Sequence, residues 1–278
     1  MTRRQGVNRA GWNVVGIALF VVLAFPVYWM ISSAFKTNAQ IYSFTPTWFP
    51  THPTLQHFTT AIHRPYFWTD VKNAVIVVVA TVVIALVVSF FAAVAFAKYR
   101  FTGYKLFLVI LIGIQMLPAT GLVIPLYVVL ARYHQINKLS GLILVYLTFA
   151  LPFCIWMLRG FVMSIPKELE EAAMVDGSTR IGAFVRILLP LVAPGLVATA
   201  VFAFITSWNE YLFARTLLAN GQTQTITVWL SYFYGGARAV DWGALMAAST
   251  LIAIPVVIFF LIVQRRIAFG LTAGAVKG

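Results

Sequence analysis

An all-α, polytopic membrane fold with six transmembrane helices is what this sequence predicts, on three observations. Apolar residues come in blocks of about 20, the length that crosses a bilayer, rather than in amphipathic stripes. Of 278 residues 61% are hydrophobic and 10% charged, with a mean hydropathy of +0.90. Soluble domains carry about 45–50% apolar and about 25% charged residues, so water is not this chain's main solvent. Finally, the 20 Lys and Arg sit in short connectors between the apolar blocks. The net charge of +13 therefore reads as cationic flanks on spans. It does not read as a nucleic-acid surface, which would gather basic residues along one helix face or in one long run.

The first apolar block, 12–35, follows Arg3, Arg4 and Arg9 and resembles the start of a secretory signal. It is longer than a signal's apolar core, and Ser32-Ser33-Ala34 is a weak cleavage site, so the block is expected to remain as the first span. Lys36 to Asp70 carries Pro46, Pro50, Pro53 and Pro65, too irregular for a span, and is expected to be an external loop with a short helix. A β-branched run gives span two, 73–96. Lys98, Arg100 and Lys105 mark the turn into span three, 106–130, and residues 132–140 turn into span four, 141–158. Charges of both signs fill the connector 159–190. Spans five and six follow at 191–213 and 243–263, joined by 215–242, and a short tail begins at Gln264. No fixed-period repeat or low-complexity tract appears, so the whole chain is read as one transmembrane domain, 1–278, that assembles with a partner.

Orientation follows from the retention of Lys and Arg in the cytoplasm. One side holds 13 of them: Arg3, Arg4, Arg9, Lys98, Arg100, Lys105, Arg159, Lys167, Arg180, Arg186, Arg265, Arg266 and Lys277. The other holds 7: Lys36, Arg64, Lys72, Arg132, Lys138, Arg215 and Arg238. Both termini are expected to be cytoplasmic, as is the connector 159–190.

Much catalytic chemistry has no residues to carry it. A phosphate-cradling Gly-x4-Gly-Lys-Ser/Thr loop is absent, so any energy from nucleotide hydrolysis would come from another polypeptide. Cys154 is the single cysteine, which rules out an internal disulfide and a thiolate metal cluster. His52, His57, His63 and His134 all fall in or beside external loops, without metal-ligand spacing. A proton- or sodium-coupled carrier is expected to keep ionisable residues deep in its spans. Here Glu168, Glu170, Glu171 and Asp176 lie in the connector, Asp70 and Asp241 flank spans, and Glu210 sits near the outer end of span five.

Two polar features within the spans are candidates for a translocation path. Gln115, near the middle of span three and followed by Pro118, Gly121 and Pro125, would line a cavity or form a helix-packing hydrogen bond. Asn209 and Glu210, after Trp208, would close the path, contact a partner, or form an interfacial polar cluster.

The connector holds the most informative stretch, Ser164 to Pro190. Pro166 suits a first helical turn, and Glu168, Glu170 and Glu171 favour a helix N-terminus. Gly177 can end that helix in the left-handed conformation, and Ser178 or Thr179 can cap a second one. Leu169, Ala172, Ala173 and Asp176 fall on one face of the first helix, where small residues leave a shallow surface. That face suits either docking into another protein's cleft or lying on the membrane surface.

Glu171-Ala172-Ala173, Gly177 after three residues, then Ile187 and Leu189-Pro190 resemble the EAA loop of bacterial ABC-importer permeases. The resemblance extends over most of the chain, through Trp208-Asn209-Glu210 and the ending Gln264-Arg265-Arg266-Ile267 with Gly270 to Gly278. The combination is similar to the shorter, six-span subunit of the carbohydrate (maltose-type) branch of the binding-protein-dependent transport family. The resemblance implies a permease subunit that is not an enzyme, in the bacterial cytoplasmic (inner) membrane. It implies a heterodimer with a second permease, two ATP-binding subunits and an extracytoplasmic solute-binding protein. It also implies sugar import by alternating access, with Glu171, Ala172, Ala173, Asp176 and Gly177 as coupling residues. This chain would bind no cofactor, ATP and Mg being used by the partner ATPase subunits. The Gly-rich tail would reach toward those ATPases or fray without function. Alternative expectations are a stand-alone secondary carrier, or ABC import of glycerol-phosphate or another polar solute.

Overall fold

The computed structural model of the protein describes residues 2–99, 101–233 and 240–275, with side chains for 11–99, 101–233 and 240–264. All regular elements among the described residues are helices. A lipid-facing backbone demands this, because its N–H and C=O groups must bond within their own segment. The chain divides into two compact units, Met1–Phe67 with Leu230–Ile254, and Trp68–Trp229 with Pro255–Gly278.

In the first unit α1 (Thr2–Phe35) carries the first apolar block. Two short helices follow, α2 (Asn38–Ile41) and α3 (Gln56–Ile62), in the segment expected to be a loop with a short helix. That loop is fastened to the end of α1. The Tyr28 hydroxyl donates to the Trp48 carbonyl at 2.6 Å, Ser32 Oγ donates to the same oxygen at 3.2 Å, and the Thr54 N–H donates to the Phe35 carbonyl at 2.9 Å. Buried His57 places Nε2 2.9 Å from the Lys36 carbonyl, and the Tyr42 hydroxyl donates to the Val240 carbonyl at 2.8 Å.

The second unit is built from α4 (Phe67–Lys98) beyond its first residue, α5 (Tyr104–Gln115), α6 (Ala119–Arg132), α7 (Leu139–Met163), α8 (Glu168–Val175), α9 (Arg180–Ala183), α10 (Leu189–Trp208), α11 (Leu212–Leu217) and the start of α12 (Ile226–Ser231). The last helix, α13 (Trp242–Ala275), begins in the first unit and ends in the second. Helix α7 packs against α5, α10 and α11. Its Leu158 and Val162 meet Phe90, Ala93 and Val94 of α4 and Val192 of α10. One helical turn and more away, Cys154 and Ala150 meet Ala85 and Ala203, so Cys154 packs as a small buried hydrophobe. Small residues at these crossings let backbones approach closely, which is how packing holds helices together where lipid supplies no hydrophobic drive. At Gly195 α10 leaves no room for a side chain, since an added Cβ would stand 2.5 Å from Phe161 Cγ of α7.

Among the described residues five helices are long and apolar enough to cross a membrane, and the α5–α6 pair makes a sixth crossing if it is one bent span. Against expectation, 106–130 is not one straight helix. It breaks after Gln115 and bends by 104°. Pro118 has no N–H to continue the ladder and its ring forces Leu117 out of helical geometry, so α6 starts afresh after it. The fifth span also differs. Instead of a separate second connector helix followed by a span from 191, one apolar helical run extends over Arg180–Trp208, with a π turn at Phe184–Leu188. Pro190 explains the wide turn, because its nitrogen cannot bond to the carbonyl of Arg186 and the spacing relaxes there from four residues to five. The span ends at Trp208, which leaves Asn209 and Glu210 in the turn before α11. Span four is longer than 141–158, reaching Met163, and the expected tail from Gln264 continues α13 to Ala275. Arg100, Arg238 and residues 276–278 lie outside the described residues, as do the side chains of the tail motif beyond Gln264.

Candidate functional site

The connector folds as its residue types dictate. Lys167 precedes α8, whose first turn carries Glu168, Glu170 and Glu171 at the positive end of the helix. Gly177 adopts φ +90°, and two backbone bonds close the turn: its N–H donates to the Met174 carbonyl at 3.1 Å, and the Ser178 N–H to the Ala173 carbonyl at 2.9 Å. This pair of bonds is the Schellman arrangement, which satisfies carbonyls that the helix end leaves open. Of the two cap residues, Thr179 does the capping. Its Oγ1 accepts from the Gly182 N–H at 3.0 Å. The chain then enters α9 and, through the π turn, α10 without interruption.

No residue of α8 is buried. Glu171, Ala172, Asp176 and Gly177 are exposed and Ala173 is half-buried, so the five expected coupling residues lie in one open segment. Apolar side chains stand out beside them, Val175 at 87% and Ile181 at 77% exposure. On the inner side, the Lys98 ammonium at the end of α4 forms an ion pair with the Glu170 carboxylate. A cavity of about 290 Å³ beside this pair is lined by Lys98, Lys167, Glu170, Glu171, Arg180 and Phe184 among others. The sequence reading missed the ion pair, whose partners are 72 residues apart. The signal available to it was Lys98 closing an apolar helix opposite an acidic connector.

The candidates for the path are brought together in part. Gln115 and Glu210 line one cavity of about 310 Å³, with Tyr146, Phe149, Phe202, Thr206 and Ser207. Gln115 ends α5, and its Nε2 donates to the Phe149 carbonyl of α7 at 3.3 Å. Asn209 is exposed and turned back on its own helix, its Nδ2 donating to the Ile205 carbonyl at 2.9 Å, and it does not line this cavity.

Glu210 is held by three donors. The Phe213 N–H donates to Oε1 at 2.8 Å, and the Ala214 N–H and Tyr146 hydroxyl donate to Oε2 at 3.1 and 2.9 Å. Its own carbonyl accepts from Thr227 Oγ1 at 2.9 Å. The carboxylate thus caps α11 and pins it to α7, a local structural task beside whatever it offers the cavity. Among the described residues no group of three or more His, Cys, Asp or Glu could hold a metal ion.

Residues 85–272 match the model of the binding-protein-dependent transport system inner membrane component family. The chain belongs to that family. Its members are transport permeases, and the several apolar helices make this chain a multi-pass membrane protein. It is similar to the diacetylchitobiose uptake system permease protein DasC of Streptomyces coelicolor, 46% identical over 99% of this chain and 100% of that one. It is 35% identical to the trehalose transport system permease protein SugB of Mycobacterium tuberculosis, over 99% of this chain and 100% of that one. With the trehalose/maltose transport system permease protein MalG of Thermococcus litoralis it shares 32% identity over 99% of both chains. Its fold matches a chain of a bacterial ABC transporter involved in import of the acidic polysaccharide alginate, with TM-score 0.80, 21% identity, and coverage of 95% and 98%.

Proposed function

We propose that this chain is a permease subunit of an ATP-binding-cassette importer that moves a sugar, a di- or oligosaccharide, across the bacterial cytoplasmic membrane by alternating access. Residues 1–278 act as one transmembrane domain with both termini and the α8 connector in the cytoplasm. The partners are a second permease, two ATP-binding subunits that use ATP and Mg, and an extracytoplasmic solute-binding protein. Relatives named for diacetylchitobiose, trehalose and maltose transport support the sugar class.

The observation that carries the coupling role is the geometry of α8. A solvent-exposed helix with a shallow Ala172 and Ala173 face is joined, through the turn that Gly177 makes at φ +90°, to the apolar helical run that starts at Arg180. A partner cleft that grips this face therefore moves α10 through that turn. Glu171, Ala172, Ala173, Asp176 and Gly177 are the coupling residues, and Gln115 and Glu210 border the path. Asn209 borders it from outside the cavity lined by those two.

The test is to purify the chain in mild detergent with its native neighbours and ask whether an ATP-binding subunit accompanies it. Wild type is expected to retain that subunit and Ala172→Trp, which fills the shallow face, to lose it. A chain that transports solute with no ATPase attached would instead be a secondary carrier.

A further inference from the structure

Lys36 is the first residue after α1, and solvent reaches only 1% of it. Its Nζ stands 3.9 Å from the centroid of the Trp29 ring. A ring face attracts an ammonium far less than water or a carboxylate does, so a cation buried this way lacks its natural counterpart. None of the chain's seven acids, all among the described residues, is paired with it. Asp241, next to cavity-lining Trp242, directs its Oδ1 to the Ala244 N–H at 3.0 Å, at the start of α13. Lys36 lines a cavity of about 330 Å³, so there is room for a ligand beside it. Burial holds its pKa below the ordinary lysine value, a cost that an anion in the cavity would remove.

The same cavity holds a second unused polar group. Thr47 Oγ1 is buried without a hydrogen-bond partner. Ser33 and Ser43 also line it, and Trp29 and Trp242 form aromatic walls. A cation with several hydroxyl donors is the chemistry that receives phosphate oxygens.

Position decides which phosphate. The cavity lies where the apolar run of α1 stops, beside a cluster of Phe25, Trp29 and Trp48 whose ring centroids are 5.9 to 6.1 Å apart. Tryptophan gathered at the end of a span marks the headgroup level of a bilayer. Below it α1 presents Val22, Leu23 and Phe25 at 67%, 73% and 43% exposure, a surface for acyl chains. We propose that this cavity is a binding site for the phosphate of an anionic phospholipid, held by Lys36 and Thr47 with its chains along α1.

The test uses the assembled transporter, delipidated in mild detergent and titrated with dioleoylphosphatidylglycerol, with retained lipid counted by native mass spectrometry. Wild type is expected to hold one more lipid than Lys36→Met, with affinity at least ten-fold higher. Lys36→Arg should keep that lipid, Thr47→Val should weaken it a few-fold, and the distant Lys138→Met should leave it unchanged. Equal retention by wild type and Lys36→Met overturns the proposal, and is also the result expected if an acidic side chain of a partner protein fills the cavity. Equal retention of dioleoylphosphatidylcholine overturns the requirement for an anionic lipid. Displacement of the lipid by millimolar inorganic phosphate overturns the lipid as the source and leaves a free-anion site. Should Lys36→Met fail to assemble, unchanged affinity in Thr47→Val overturns the proposal.

Discussion

Lys98, the last residue of α4, is ion-paired with Glu170 in the first turn of α8. Both side chains are about four-fifths buried, at 19% and 20% exposure, so the pair is partly shielded from screening. Helix α8 is thereby tied to α4 by charge and to α10 by chain continuity. A movement imposed on it reaches two membrane-crossing helices at once.

Reversing one charge should break that tie. Exposed or partly exposed pairs contribute roughly 0.2–1 kcal/mol, so Lys98→Glu or Glu170→Lys is expected to leave the protein folded. The effect is expected on coupling, as a several-fold drop in solute moved per ATP hydrolysed by the reconstituted transporter. The double exchange Lys98→Glu with Glu170→Lys should recover most of the loss. Failure of the double variant to recover would assign the effect to one residue alone.

Glu210 should matter more to stability than its place in a turn suggests. Its two oxygens accept three hydrogen bonds, and removing acceptors from buried donors costs about 1–3 kcal/mol each. Glu210→Ala is expected to lower the thermal midpoint in detergent clearly. Tyr146→Phe, which removes one donor, should cost about 1 kcal/mol. If Glu210→Ala melts with wild type while transport falls, the carboxylate works in the path and not as a cap.

At Gly195 the prediction is steric. A methyl group there meets Phe161 Cβ at 2.9 Å and ring atoms at 2.5 and 2.6 Å, so the neighbour's fixed root is in the way and not only its flexible end. Overpacking of this kind costs about 1–3 kcal/mol, and Gly195→Ala should reduce thermal stability by that order. Gly195→Ala combined with Phe161→Ala should relieve the clash but open a void.

The cavity reading makes a chemical prediction. Gln115→Cys should react with a water-soluble thiol reagent during turnover, because Gln115 lines the space that Glu210 and Tyr146 also face. Protection by transported solute is expected. A cysteine at 115 that never reacts would remove this cavity from the path.

Much of this was legible in the sequence because the signals were local. The apolar runs marked spans one, two, four and six to within a few residues at most ends, and Gly177 with Ser178 or Thr179 located the turn and cap of the connector, Thr179 being the one that caps. Pro118 was visible as a helix breaker, yet how far the chain turns at a proline depends on what the next helix packs against. Pro190 read as a boundary, whereas a π turn carries the helix past it. The Lys98–Glu170 pair and the three donors to Glu210 are tertiary meetings between distant segments, and no periodicity announces those. Lys36 read as a loop cation because nothing in its neighbours foretold that residues 40–47 fold over it.

Gly177 offers the sharpest test of the coupling role, because its conformation and its surroundings can be separated. An added Cβ there meets nothing within 4 Å, so the requirement for glycine is purely the backbone angle of +90°. Asparagine tolerates the left-handed region, alanine costs about 1–2 kcal/mol in it, and proline is fixed near −65°. Proline also lacks the N–H that donates to the Met174 carbonyl. Uptake per ATP hydrolysed should therefore fall in the order Gly, Asn, Ala, Pro. Membrane levels of all four should stay similar, since a Cβ at 177 meets nothing within 4 Å. Gly177→Pro is expected to leave ATP hydrolysis running while uptake is lost. Uptake by Gly177→Pro equal to wild type would mean that the angle of α8 does not carry the stroke, and the continuous helix from Arg180 would have to be driven from elsewhere.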